Sequence, residues 1–360
     1  MADLTTTLCG IKLKNPFVLS SGPLSYSGQA LIRASAAGAG ATVTKTISLQ
    51  AAVNPRPHMI QAAAGVLLNA EKWSDCTAED WIEREIPLAK AAGVTVIGSI
   101  GLSPRAAAEL TRAVAGAGAD IIEIVSYDQE ALVPMVKEAR KRTDRPILAK
   151  VSANWPSLLD TVEGAITAGA NGITAIDSVG PGLRLDIKTG RPYLGGSRGY
   201  GWVSGTAIKP LALRIVADVA LRHEVDIVGV GGIARGEDAL EMLMAGASAL
   251  GLATAPILRG LVLFGKLTGE LSQLLDQGGF PSVAAASRFS LPWLKEEEDQ
   301  REMIFAYQAD KCTDCQRCAA VCAYEARRVR KPDMYLDTSA CRQCGLCVSV
   351  CPTAALTARQ

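Results

Sequence analysis

Eight of the ten cysteines in this chain crowd between positions 312 and 351. They form two runs, Cys312-x-x-Cys315-x-x-Cys318-x-x-x-Cys322 and Cys341-x-x-Cys344-x-x-Cys347-x-x-x-Cys351-Pro352, the second beginning 29 residues after the first. Thiolates at this spacing, given twice, are the pattern for two cubane 4Fe-4S clusters, with the fourth cysteine of each run crossing to the other cluster. The expected ligand sets are Cys312, Cys315, Cys318 and Cys351 for one, and Cys341, Cys344, Cys347 and Cys322 for the other. Zinc normally takes paired Cys-x-x-Cys knuckles rather than four cysteines per run, and disulfides belong to exported chains. Ala323 stands where a proline usually follows the fourth cysteine. It leaves the ligand count untouched and predicts a local change in backbone or potential.

The other residues with chemical capacity lie far upstream, at the ends of short apolar runs: Ser20-Ser21-Gly22, Lys45-Thr46, Ser99, Tyr127-Asp128, Lys150, Asp177-Ser178, Gly231-Gly232 and Ala253-Thr254. The runs themselves are Val- and Ile-rich segments at Phe17–Ser20, Thr42–Thr46, Thr95–Ile100, Ile121–Ile124, Ile147–Val151, Gly172–Ile176, Ile227–Val230 and Ala249–Leu252. Helix-patterned stretches such as Pro104–Ala117, Gln129–Arg142 and Ile208–Arg222 separate them, with glycines such as Gly118 and Gly169 at helix ends. Strands alternating with helices pair in parallel through right-handed crossovers. Eight units over about 275 residues predict a (β/α)8 barrel, a TIM barrel, whose functional groups gather at the C-terminal ends of the strands. The alternative, an open doubly wound sheet, would need a Gly-x-Gly-x-x-Gly turn after the first strand, where the chain reads Ser20-Ser21-Gly22-Pro23-Leu24.

The expected organisation is therefore α/β: a barrel over 1–278, a connector over 279–304 holding the acidic run Glu296 to Asp299 as a solvated helical face, and a small ferredoxin-like iron–sulfur domain over 305–360. Lys and Arg number 37 against 36 Asp and Glu, a net charge of +1, which excludes nucleic acid or an anionic membrane as the main partner. With 49% hydrophobic and 20% charged residues the chain can fill a sizeable core and is not disordered. Its start lacks a basic segment followed by an apolar one. The uncharged run Met242–Leu258 is broken by Gly246, Gly251 and Pro256 and falls short of the roughly twenty residues of a membrane span. The expectation is a cytoplasmic protein without membrane insertion.

Two lysines, Lys45 and Lys150, ending separate strands inside an apolar barrel need either an ion-pair partner or an anionic ligand, because an unpaired buried ammonium is costly. Gly231-Gly232 after the seventh strand and Ala253-Thr254 after the eighth match the usual phosphate site of such barrels. Clusters accept single electrons, whereas oxidising or reducing a small organic molecule usually moves a hydride and a proton. A flavin converts between the two, and FMN brings one phosphate.

The segments Asn15-Pro16-Phe17 to Ser21-Gly22-Pro23, Val43-Thr44-Lys45-Thr46, Ala149-Lys150, Ser204-Gly205-Thr206-Ala207-Ile208-Lys209-Pro210 and Gly229-Val230-Gly231-Gly232-Ile233 resemble the dihydroorotate and dihydropyrimidine dehydrogenase family over roughly residues 1 to 265. The resemblance implies FMN over the barrel, at Ser20, Ser21, Gly22, Lys45, Thr46, Asn69, Ser99, Lys150, Ser178, Ser204, Gly205, Gly231, Gly232, Ala253 and Thr254. It implies a homodimer or hetero-oligomer that passes electrons to ferredoxin or to an FAD/NAD-binding partner subunit.

The chain departs from the family at the substrate. Members carry an Asn-x-Ser-Cys-Pro-Asn-like segment and a mobile loop after strand four, whose Cys or Ser transfers the proton; here Glu123-Ile124-Val125-Ser126-Tyr127-Asp128-Gln129-Glu130 runs straight into a helix. Of the family's asparagine amides Asn69 is retained, Val125 replaces one, and Asp177-Ser178 stands where Asn-Thr or Asn-Ser would. A carboxylate donates no hydrogen bond unless protonated. The proton-handling candidates are then Asp177, Asp128 and Tyr127. One reading is an oxidoreductase that interconverts a C–C and a C=C bond next to a carbonyl, on a small molecule other than a standard pyrimidine. The other is an electron-transfer subunit with no small substrate of its own. Trp73, Trp155 and Trp202 read as a pocket wall or as packing, His58 as a surface or lid residue, and His223 as a helix cap.

Overall fold

The computed structural model describes residues 1–294, 296–298 and 300–359. The chain forms two compact units, Met1–Leu294 and Lys295–Gln360.

In the first, eight parallel strands close a barrel: β1 (Phe17–Leu19), β2 (Ala41–Val43), β3 (Val96–Ile100), β4 (Ile121–Val125), β5 (Ile147–Val151), β6 (Gly172–Ala175), β7 (Asp226–Val230) and β8 (Ala249–Leu252). The apolar runs became strands because both faces are covered, one by the barrel interior and one by helices. All five residues of β3, β4 and β5 are buried. The helices start where side chains cap them: Ser103 accepts from Ala106 N and Asp128 from Glu130 N. They stop at residues such as Gly118 and Gly169, whose φ of +114° and +109° suit glycine. An N-terminal hairpin, Thr6–Leu8 with Ile11–Leu13, buries Leu8 and Leu13 against Val18, Val43, Ile97, Ile121 and Leu148, closing one end of the interior.

The other end is roofed by an antiparallel sheet ordered Val179–Gly182, Gly201–Gly205, Val66–Asn69, Met59–Ala63. It combines excursions after β2 and β6, far apart in sequence, which sets Trp202 opposite Asn69 and Ser204 opposite Leu67. The segment expected as a connector is structured through Leu294: Val283–Ala286 and Leu291–Trp293 are helical, Phe280 meets Phe289 edge to face, and Arg288 Nη1 donates to Ala220 O. The acidic run is not helical at Glu296, Glu297 or Glu298, and Asp299 lies outside the described residues.

The second unit repeats itself. Ile304–Tyr307, helix Arg317–Ala320 and Arg327–Arg330 recur 29 positions later as Asp333–Leu336, Leu346–Ser349 and Leu356–Arg359. The strands pair as Ile304–Tyr307 with Leu356–Arg359 and Arg327–Arg330 with Asp333–Leu336, both antiparallel. The change expected at Ala323 is absent from the backbone: Glu325 N bonds Cys322 O as Ala354 N bonds Cys351 O, with φ of 50° and 51° at Glu325 and Ala354. Among the described residues no helix is long and apolar enough to cross a membrane.

Candidate active site and cluster cradles

Between the strand ends and the roofing sheet lies a cavity of about 310 Å3. Loops after β1 and β2 bring Ser20, Ser21, Gly22, Lys45 and Thr46 to its wall. β5 and the turn after β6 bring Lys150, Asp177 and Ser178, and the sheet contributes Asn69, Ser204 and Gly205. Gly231 and Gly232 after β7, with Ala253 and Thr254 after β8, complete it. Gly232 has φ +79°, and a Cβ there would stand 2.5 Å from that of Lys209, so the turn requires glycine. Thr254 Oγ1 donates to Ser204 Oγ at 2.7 Å, which leaves the Ser204 proton free for another acceptor.

Two expected residues, Ser99 and Asp128, lie off the wall. Ser99 lies beneath the cavity, fully buried. Its hydroxyl donates to Glu123 Oε1 (3.1 Å) and meets Thr46 Oγ1 (3.2 Å), which in turn meets Ser21 Oγ, so it supports the wall from behind. Asp128 is an exposed helix cap that accepts from Glu130 N at 3.1 Å and does not reach the cavity. Asn69 lines the wall, but its Oδ1 is taken by Glu71 N at 2.7 Å.

Both lysines carry ion pairs. Lys45 Nζ contacts Glu71 Oε2, and Lys150 Nζ lies 3.3 Å from Asp177 Oδ1. Burial pushes Lys45 below the usual lysine value, with Glu71 opposing it. Burial pushes Lys150 the same way, but the carboxylates of Asp177 and Glu123 outweigh it and hold the pKa above the ordinary value. Glu123, 2% exposed, is held by Ser99 and by Thr174 Oγ1 at 3.0 Å. Tyr127 stacks on Trp202 with 6.0 Å between centroids and 8° between planes. Loss of hydration around its hydroxyl, with the Asp177 charge, pushes its pKa up to about 12, so it stays protonated at neutral pH.

Trp73 and Trp202 line the cavity, whereas Trp155 is buried elsewhere. His58 bonds Pro55 O and is not among the lining residues. His223 ends helix Lys209–Arg222 beside Glu163. Sequence reasoning missed Glu71, Lys72 and Arg259 on the wall. The signal for the first two was their place two and three residues after Asn69, at the end of a roofing strand whose partner, Trp202 opposite Asn69, is 133 positions away and thus invisible to local pattern.

In the second unit Cys312, Cys315, Cys318 and Cys351 line one cavity with Tyr307, Gln316, Met334 and Leu356. The distant Cys351 joins the first run, as the crossing pattern requires. Asp314 N points at Cys312 Sγ and Gln343 N at Cys341 Sγ, each at 3.4 Å, so both runs present the same backbone turn. Among the described residues no three His, Cys, Asp or Glu side chains meet at single-ion spacing. Burial pushes the Cys318 thiol up while the Arg327 charge pulls against it.

A barrel whose strand ends gather lysines and hydroxyls under an aromatic roof, in one chain with a doubled cysteine cradle, has the construction of an iron–sulfur oxidoreductase. Residues 114–275 match the family model "Dihydroorotate dehydrogenase", and residues 311–355 match "4Fe-4S dicluster domain". The chain is 34% identical to the dihydroorotate dehydrogenase B (NAD(+)) catalytic subunit of Methanothermobacter thermautotrophicus, over 78% of this chain and 96% of that protein. It is 33% identical to its namesake in Pyrococcus abyssi, again over 78% and 96%, and 32% identical to that of Thermoplasma acidophilum, over 79% and 97%. The chain belongs to the dihydroorotate dehydrogenase family, oxidoreductases acting on CH–CH groups, and carries a 4Fe-4S dicluster domain.

Proposed function

We propose that the chain is an FMN-dependent iron–sulfur oxidoreductase that interconverts a C–C and a C=C bond next to a carbonyl, on a small molecule other than a standard pyrimidine. The observation that carries the substrate reading is the connection after β4. Only Ser126 and Tyr127 separate Val125 from the helix cap Asp128, which leaves no room for the family's loop and its Cys or Ser.

The donor set suits FMN: two ammonium groups, the hydroxyls of Ser20, Ser21, Thr46, Ser204 and Thr254, and the Gly231-Gly232 turn share one wall. Bound FMN would exchange a hydride with substrate carbon and pass electrons singly to the clusters. Lys150 Nζ and Asp177 Oδ1, 3.3 Å apart on the cavity wall, are the pair placed to hold or move a proton beside a substrate. Tyr127, neutral and beside them, offers a hydrogen bond to a substrate carbonyl. The stacked Tyr127 and Trp202 present a flat aromatic face to a planar ring.

The relatives are named catalytic subunits of NAD(+) enzymes, which supports a partner subunit or ferredoxin as electron acceptor. The short β4 connection also supports a second reading, an electron-transfer subunit without a small substrate. Anaerobic titration of the isolated holoprotein with candidate cyclic enoyl and dihydro compounds separates them. Flavin bleaching by one of these, at a rate that depends on its concentration, supports the enzyme. Reduction only by a partner protein or dithionite supports the relay.

A further inference from the structure

The small domain buries a cation for which the described residues supply no carboxylate. Arg327 is 4% exposed, and among the described residues no carboxylate pairs with it. Its Nη1 donates to Met334 Sδ at 3.0 Å, its Cζ stands 4.8 Å from the Phe305 ring centroid, and its Nη2 is buried with no hydrogen-bond partner. A ring face offsets only part of what a cation loses on leaving water. The balance calls for an anion from outside the chain. Met334 lines the cavity framed by Cys312, Cys315, Cys318 and Cys351, so the guanidinium lies one side chain from that cradle.

The internal repeat shows that packing does not demand arginine. The equivalent position 29 residues later is Leu356, 1% exposed and lining the same cavity. The fold accepts leucine at one of two matched places and keeps a charge at the other.

We propose that Arg327 is the internal counter-charge of the 4Fe-4S clusters and raises their reduction potentials, splitting the pair by its presence in one repeat only. The inference rests on the two-cluster reading of the cysteines. A cubane with four thiolates is a dianion when oxidised and a trianion after accepting one electron. Reduction therefore adds one negative charge with no bond broken and no proton required. A fixed positive charge in a low-dielectric core stabilises the trianion more than the dianion.

The test is a potentiometric titration of the full-length holoprotein under anaerobic conditions, with dithionite as reductant and electron paramagnetic resonance as readout, on the native chain, Arg327→Leu and Arg327→Lys. The expected result is that Arg327→Leu retains full iron and sulfide while, at the native midpoint of at least one cluster, its reduced-to-oxidised ratio falls about tenfold, equivalent to 59 mV for one electron. Arg327→Lys, which keeps the charge, should stay within about threefold of native. An iron-replete Arg327→Leu that titrates with the native protein overturns the proposal, as does an Arg327→Lys shifted as far as the leucine variant. Should Arg327→Leu assemble poorly, the neutral Arg327→Gln takes its place under the same two criteria. An iron-free native protein instead overturns the cluster reading itself.

Discussion

The barrel mouth and the small domain both bury cations, and they settle them in opposite ways. At the mouth each lysine meets a carboxylate of its own chain: Lys45 pairs with Glu71 and Lys150 with Asp177. In the small domain Arg327 meets a thioether and a ring face. A site with internally balanced charge can exchange protons and bind a ligand with little net charge, because donors and acceptors are present in pairs. A site left cationic is built for a permanent anion. The difference separates a site whose charges can be exchanged within its own pairs from one that keeps a fixed, uncompensated charge.

Breaking the small domain should give the largest effect. Cys351→Ala is expected to abolish the cluster framed by Cys312, Cys315 and Cys318, and Cys322→Ala the other. Each should lower iron from about eight to about four atoms per chain while leaving FMN in place. Elemental analysis with electron paramagnetic resonance checks this, and loss of the cluster held by its own run in Cys322→Ala would undo the crossing.

At the mouth, Asp177→Asn is expected to keep FMN but slow substrate-dependent flavin reduction about a hundredfold, the scale of one acid–base group. Stopped-flow absorbance measures it, and an unchanged rate would remove Asp177 from proton handling.

The two ion pairs should respond oppositely to pH. The Lys150 pKa lies above its ordinary value, so its stabilisation is present below about pH 10 and is lost as pH rises through the folded value. Lys150→Met should therefore lower stability by about 3 kcal/mol at neutral pH, with the gap to native closing only in strongly alkaline buffer. The Lys45 pKa is lowered, so its contribution improves as pH rises through the folded value toward the ordinary one. The double change Lys45→Met with Glu71→Gln should be close to neutral at pH 7, as replacing a whole buried pair often is. Thermal denaturation from pH 6 to 11 compares them.

The smallest effect belongs to the residue the fold moved away from the site. Asp128→Ala should cost about 1 kcal/mol through its helix cap and leave turnover unchanged. A large loss of activity would return Asp128 to the mechanism.

All eight barrel strands were legible, because each is a short, mostly apolar run of the kind that both faces of a parallel barrel require. Spacing alone led to the expected crossing of the fourth cysteines, and Cys351 lines the cavity of Cys312, Cys315 and Cys318. The roofing sheet was not, since Val66–Asn69 finds its partner in Gly201–Gly205 and neither stretch alternates in a way that names the other. Lys45 and Lys150 were visible as buried charges, but Glu71 was not visible as a partner, because ion pairing across a loop leaves no periodic trace. Ser99 showed its place at a strand end and concealed that its hydroxyl turns toward Glu123. Strand alternation turns Arg327 inward while its neighbours Arg328 and Arg330 face out, which no run of basic residues announces.

The central claim is that one chain joins a flavin site to two clusters. Its most direct test is the composition of the full-length protein purified without oxygen: acid-extractable flavin, iron, sulfide and zinc per chain. About one FMN with two cubane clusters, and negligible zinc, is the expected result. A colourless chain free of iron and flavin, or one carrying zinc on its cysteines, would contradict it.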